Sequence, residues 1–380
     1  MTQLKSIDVK VYRVPLERPV RTSFGEMRDR PAVLVRLSDV DGNWGWGEVF
    51  CNWPAAGAEH RARLILEDIA DLVFAQHWSS APELFTSLTK LTEIKVIQTA
   101  EPGPFAQAIS GLDMALWDLI SRKEGPPLCR ALNPEAPLDV PVYASGIQID
   151  DAADMIPAAR QAGFAAFKVK VGFDVEADAK KLFDIKESLR VGERLMADAN
   201  QGWNVDEASR FLGHIAELGL TWLEEPIRVD APNTEWRQLA KDFETPLAGG
   251  ENLLGEAAFT TAIHVGDLSV VQPDAAKWGG VTGCFNIGRI ANAAGRLYCP
   301  HFLGGGIGLL ASAHILAAVG GDGMLEIDFN PNPLRSDMCP GWPNVENGTV
   351  SLPSSPGLGI APALDDLQQY CVFEGSRQAG

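Results

Sequence analysis

Lys168 and Lys170 stand two residues apart in Phe164-Ala165-Ala166-Phe167-Lys168-Val169-Lys170-Val171-Gly172. Their alternation with Phe167, Val169 and Val171 predicts a strand, which puts both ammonium groups on one face. Two like charges side by side repel, so the pair suits an anion or a metal-bound oxyanion. A solvated edge strand with a charged face is the plain structural alternative. Six further short, mostly apolar runs each reach an acid or a base. The ordered set Lys168, Asp198, Glu224, Glu251, Asp274, His301 and Glu326 is separated by 30, 26, 27, 23, 27 and 25 residues.

Amphipathic helical patterns lie between these points, for instance over residues 205–218 and 255–264. Strand, polar residue and helix repeated at that interval is the signature of a (β/α) barrel. In such a barrel the functional groups sit at the carboxyl ends of the strands. All seven polar residues are therefore expected to converge on one mouth.

The pattern resembles the enolase superfamily, specifically its mandelate racemase subgroup (the mandelate racemase/muconate lactonizing enzyme family). The resemblance covers nearly the whole chain. It rests most on the lysine pair, the Asp198/Glu224/Glu251 ladder, and Asp274 with His301. It implies an α/β protein: a modified (β/α)7β TIM-like barrel with an α+β N-terminal capping domain completed by the C-terminal tail.

Three carboxylates at one mouth would repel strongly without a cation. All-oxygen ligands of this kind suit a hard divalent ion, and Mg2+ is the expected cofactor, held by Asp198, Glu224 and Glu251. Salt bridges to the barrel lysines are the structural alternative. The chemistry implied is removal of the proton α to a carboxylate, with the developing charge stabilised by metal and ammonium. By resemblance Lys170 is the base on one face. Lys168 contacts the substrate carboxylate and lowers the pKa of its neighbour; Lys170 must be neutral to act, and crowding by Lys168 and the metal is the physical reason. Asp274 and His301 match the second-face pair, in which a carboxylate orients an imidazole and stabilises its protonated form. Glu326 matches a last-strand acid that hydrogen-bonds the substrate as a neutral group. Glu225, next to Glu224, is expected to point the other way. Asn200, two residues past Asp198, shares its face and is expected to contact either substrate or the residues that hold the metal. Lys277 is read as structural, because Asp274 takes the strand-end position. The remaining histidines, His60, His77, His214, His264 and His314, are read as packed or solvated.

Residues 4–15, 32–37 and 44–50 read as strands, and Asp41-Gly42-Asn43 as a turn. Helical patterns follow over 59–74, 81–89 and 105–124. Residues 1–133 are expected to form the capping domain, 134–330 the barrel and 331–380 a tail that returns to the cap. In the family the cap lays two loops over the barrel mouth. The matching segments here, 21–28 and 51–56, place Arg21, Thr22, Phe24, Met27, Asn52 and Trp53 near the distal end of a substrate, or, for Phe24 and Trp53, in the domain interface.

The formal net charge of −18 argues against nucleic acid and against anionic membrane surfaces, since both select a basic face. The longest apolar region, 307–319, is too short to span a bilayer, and the amino terminus has no signal-peptide pattern. The six cysteines form no Cys-x-x-Cys pair and read as reduced, in a cytoplasmic protein. A small carboxylate substrate and a homo-oligomer are expected. Acid-sugar dehydration to a 2-keto product is the leading reaction. Racemisation or epimerisation, lactone cycloisomerisation, and acid binding on a decayed barrel are the alternatives.

Overall fold

Alternating apolar residues make the opening of the chain, residues 4–49, an antiparallel sheet with buried residues on both faces. The computed structural model describes residues 1–22 and 25–380. Its strands β1 (Leu4–Thr22), β2 (Gly25–Asp39) and β3 (Trp44–Val49) form an antiparallel meander. The turn before β3 closes on Asp39, whose carboxylate accepts from the amides of Asp41 and Asn43. Ile7, Val9, Val11, Val33, Val35 and Leu37 are buried with residues of the helices Ala81–Thr99 and Pro102–Glu124. The helix expected over 59–74 runs from Gly57 to Phe74, but through a π-helical turn at Leu64–Ile69.

Eight parallel strands follow: β4 (Asp139–Gln148), β5 (Ala166–Lys170), β6 (Arg194–Asp198), β7 (Leu223–Glu224), β8 (Leu247–Gly249), β9 (Val270–Val271), β10 (Leu297–Tyr298) and β11 (Leu325–Asp328). They pair in sequence from β4 to β10, and β11 pairs in parallel with β4, bringing the last strand beside the first. A helix of nine to fourteen residues separates each successive pair. Tyr143, Ala166, Met196, Trp222, Ala248, Val270, Cys299 and Met324, one from each strand or its edge, form a single buried cluster. This is the floor of the barrel. Side chains alternate along a strand, so the residues two positions further face the same interior. Those are Ser145, Lys168, Asp198, Glu224, Gly250, Gln272, His301 and Glu326. Period two thus stacks a polar layer on an apolar one.

The helix Gly306–Val319 is apolar on every face apart from Ser312 and His314, and it is buried through Ala318. Among the described residues no helix is long and apolar enough to cross a membrane. In the tail, β12 (Val345–Glu346) and β13 (Thr349–Ser351) form a hairpin, and β13 runs antiparallel to the start of β4. Strand β14 (Cys371–Gln378) pairs antiparallel with β1, placing Gly375 opposite Val9.

Candidate active site

The polar layer is a lattice of opposite charges. Lys168, 1% exposed, places Nζ 2.8 and 2.7 Å from the two carboxylate oxygens of Glu224 and 2.7 Å from Glu326 Oε1. Burial lowers its pKa. Glu224, Glu326, Tyr143 and Asp198 outweigh burial and push its pKa well above the usual lysine value. Lys170 donates to Asp198 Oδ2 and, at 2.7 Å, to Asn200 Oδ1. Burial and Lys168 pull its pKa down, but Asp198 prevails and the net shift is upward. Lys168 thus lowers the pKa of its neighbour as expected, while the contact with Asp198, itself an expected metal ligand, raises it.

Glu224 and Glu326 share Lys168 and yet shift in opposite directions. Burial and the neighbouring Asp198 raise Glu224 to about 7. Burial also raises Glu326, but Lys168 and His301 bring it down to about 2. The neutral acid expected at Glu326 is thus an ionised one in this arrangement. Its Oε1 accepts from Ser145 Oγ, and its Oε2 accepts from the Phe302 amide at 3.3 Å.

On the other side of the mouth, His301 Nδ1 lies 2.7 Å from Asp274 Oδ2. The second oxygen of Asp274 accepts from the amides of Ala276 at 2.8 Å and Lys277 at 3.1 Å. Both carboxylate oxygens are therefore occupied, and the imidazole plane is set from below. His301 Nε2 lies 2.5 Å from Glu251 Oε2. Burial lowers the His301 pKa, but Glu251, Glu326 and Asp274 drive it well above the usual value.

Asp198 and Glu224 end the neighbouring strands β6 and β7 and pair directly, and Glu251 lies two residues past the end of β8. Each carboxylate rests on a cation: Asp198 on Lys170, Glu224 on Lys168, Glu251 on His301. Among the described residues no three His, Cys, Asp or Glu side chains converge as a ready metal cage. The donor set is nevertheless all oxygen, adjacent and rich in negative charge, which fits a hard divalent ion better than any other metal class.

Glu225 has φ +38° and turns its carboxylate to the Asn252 amide, 3.0 Å from both oxygens. Lys277 donates to Asn252 Oδ1 at 3.2 Å, comes within 3.7 Å of Glu251 and lies over the Phe50 ring. Asn52 is buried, and its side-chain amide donates to the Leu303 carbonyl at 2.8 Å. The Trp53 ring lies against Gly25, where an added Cβ would meet it at 2.8 Å. Arg21 and Thr22 end β1, opposite Glu26 and Gly25, while Phe24 lies outside the described residues. Two polar members of the layer carry no charge and escaped the sequence reading. Ser145 bonds Glu326, and Gln272 Nε2 donates to Glu224 Oε2 at 2.6 Å. The period-two rule, run through Gln272-Pro273-Asp274, was the signal for the second.

Residues 6–132 match the family described as mandelate racemase / muconate lactonizing enzyme, N-terminal domain, and residues 151–366 match the enolase C-terminal domain-like family. The chain belongs to the mandelate racemase/muconate lactonizing enzyme family. A family member of known structure, the mandelate racemase/muconate lactonizing enzyme from Bordetella bronchiseptica RB50, is 45% identical. It superposes with a TM-score of 0.91 over 97% of this chain and 99% of that one. A racemase from Streptomyces coelicolor A3(2), crystallised with bound magnesium, is 28% identical with a TM-score of 0.85, over 97% of this chain and 100% of that one. D-galactarolactone cycloisomerase from Agrobacterium fabrum is 28% identical over 93% of this chain and 95% of its own length. Other relatives in the mandelate racemase/muconate lactonizing enzyme family are named as dehydratases and epimerases, so the chain is an enzyme of lyase or isomerase type.

Proposed function

We propose that this enzyme removes the proton α to the carboxylate of a polyhydroxy acid and eliminates the β-hydroxyl, giving a 2-keto acid. The observation that carries the reading is the Asp274–His301 pair, 2.7 Å apart, with Asp274 itself locked by two backbone amides. An imidazole bound through Nδ1 to a fixed carboxylate presents Nε2 to the mouth and is stabilised when protonated. That is the equipment of a general acid, which elimination needs and simple acid binding does not.

Asp198, Glu224 and Glu251 are the residues that would hold Mg2+, as the donor set and the magnesium-containing relative support. Bound there, the ion supplies positive charge to the substrate carboxylate and raises the acidity of its α-proton. Asp198, drawn to such an ion, would hold Lys170 less strongly in its charged form. Lys170 then takes the α-proton, and the charge left on the substrate oxygens faces Lys168. His301 donates its proton to the departing hydroxyl, which leaves as water. The enol tautomerises to the 2-keto acid, and the site resets when Lys170 releases its proton to solvent and His301 takes one up.

A second reading is favoured by the relative named D-galactarolactone cycloisomerase. There the same pair would expel a lactone carboxylate rather than hydroxide. Incubating the protein with Mg2+ and a panel of acid sugars and their lactones separates the two. Dehydration yields one water per 2-keto acid from open-chain acids, whereas cycloisomerisation consumes only lactones. Interconversion of stereoisomers without 2-keto product would replace both with racemisation.

A further inference from the structure

The helices that follow Asp274 and His301 both begin on a carboxylate from the capping domain. The helix Gly280–Ala293 starts at Asp113, which belongs to the cap helix Pro102–Glu124. Thr282 donates to it twice, through its amide at 3.0 Å and its hydroxyl at 2.6 Å. The helix Gly306–Val319 starts at Glu48 of β3, which accepts from the amides of Gly305 at 2.5 Å and Gly308 at 2.8 Å. An anion at a helix N-terminus satisfies orphan amides and opposes the helix dipole. Glu48 and Asp113 are 2% and 0% exposed, and burial pushes both carboxyls up to about 7. Groups that costly to bury are kept where their hydrogen bonds hold something in place.

The rest of the cap edge makes the same contact. The Phe50 amide donates to the Ala276 carbonyl at 3.1 Å, two residues past Asp274. Asn52 holds the Leu303 carbonyl, two residues past His301. Glu48, Phe50 and Asn52 thus alternate along one edge and grip both loops. The glycines allow this close fit: a Cβ on Gly304 would come within 2.8 Å of Glu48 Oε1, and one on Gly308 within 2.3 Å of the Phe302 ring.

We propose that Glu48 and Asp113 are positioning residues that fix the Asp274–His301 pair by anchoring the two barrel helices behind it to the capping domain. The pair's catalytic consequence rests on the proposed function; its geometry does not. Lys170, by contrast, is held by the barrel residues Asp198 and Asn200.

The test labels intact protein with diethyl pyrocarbonate at histidine and, separately, with acetic anhydride at lysine, followed by peptide mass spectrometry. The variants are Glu48→Gln, Asp113→Asn and Asp118→Asn. Asp118 is an equally buried cap carboxylate, but it accepts from Trp46 and from Leu358 of the tail and touches neither helix start. His301 should label several-fold faster in Glu48→Gln and Asp113→Asn, with Lys170 unchanged, and neither residue should change in Asp118→Asn. On a turned-over acid, kcat should fall on the order of 10²-fold with little change in KM, as for a reacting group displaced by about an ångström. If Glu48→Gln does not fold, Gly308→Ala presses on the same loop through the Phe302 ring. Labelling at His301 that stays at the wild-type rate, or that rises together with Lys170, overturns the proposal. If no acid is turned over by any form, the proposed function fails while the labelling still decides this inference.

Discussion

Lys168 grips Glu224 through both carboxylate oxygens, at 2.8 and 2.7 Å, in a site where each residue is 1% exposed. The same ammonium also holds Glu326 at 2.7 Å. Removing it strands two buried carboxylates. Lys168→Met should therefore lose about 3–5 kcal/mol of unfolding free energy, the usual cost of leaving a buried charge unpaired. Mg2+ should return part of the loss by taking over Glu224. Urea denaturation with and without Mg2+ measures both, and a loss under ~1 kcal/mol would show that the lattice does not need this lysine.

Glu251 has two tasks. It is a proposed ligand, and it sits 2.5 Å from His301 Nε2. Glu251→Gln keeps the shape but removes the charge. Calorimetry should show weaker Mg2+ binding, and turnover should be lost. Unchanged Mg2+ affinity would take Glu251 out of the ligand set.

Lys170 and His301 are separable by isotope. In deuterium oxide with Mg2+ and substrate, His301→Asn should give α-labelled, undehydrated acid of unchanged configuration. Lys170→Met should give neither label nor product. Each loss should be on the order of 10²–10⁴-fold in rate, as for removal of a positioned acid or base. Silence in both label and product for His301→Asn would make His301 the initiating base instead.

His314 sets a pH limit on stability away from the site. It is buried, its Nδ1 accepts from the Cys129 amide at 3.2 Å, and burial pushes its pKa down to about 4. The folded value lies below the unfolded one, near 6.5, so the unfolded chain binds the proton first. Stability from this group is present above about pH 6.5 and lost as pH falls towards 4. The difference in unfolding free energy between wild type and His314→Gln should narrow by about 3 kcal/mol over that window. A difference that does not move between about pH 7.5 and about pH 4 would place the His314 titration elsewhere.

Much of the barrel was written locally. Strand period and strand-to-strand spacing are properties of a few residues at a time, so Lys168, Asp198, Glu224, His301 and Glu326 could be assigned to one interior layer before any coordinates. Their inward direction follows from alternation over the floor residues, such as Met196 below Asp198 and Trp222 below Glu224. Charge made these positions visible. Ser145 and Gln272 sit in the same layer, but a neutral side chain in an apolar run carries no comparable signal.

What the local pattern could not decide was who pairs with whom. Whether Asp198 holds a lysine charged, and whether Glu326 is ionised, depends on side chains from different strands meeting in a buried site. The roles of Glu48 and Asp113 depend on more. Their partners lie 257 and 169 residues away, across a boundary between two separately patterned domains. Nothing in Gly45-Trp46-Gly47-Glu48 says which helix that carboxylate will cap. Only docking the cap onto the barrel brings it to the amides behind His301, because an anion buried in that interface must find donors wherever the packed surfaces leave them.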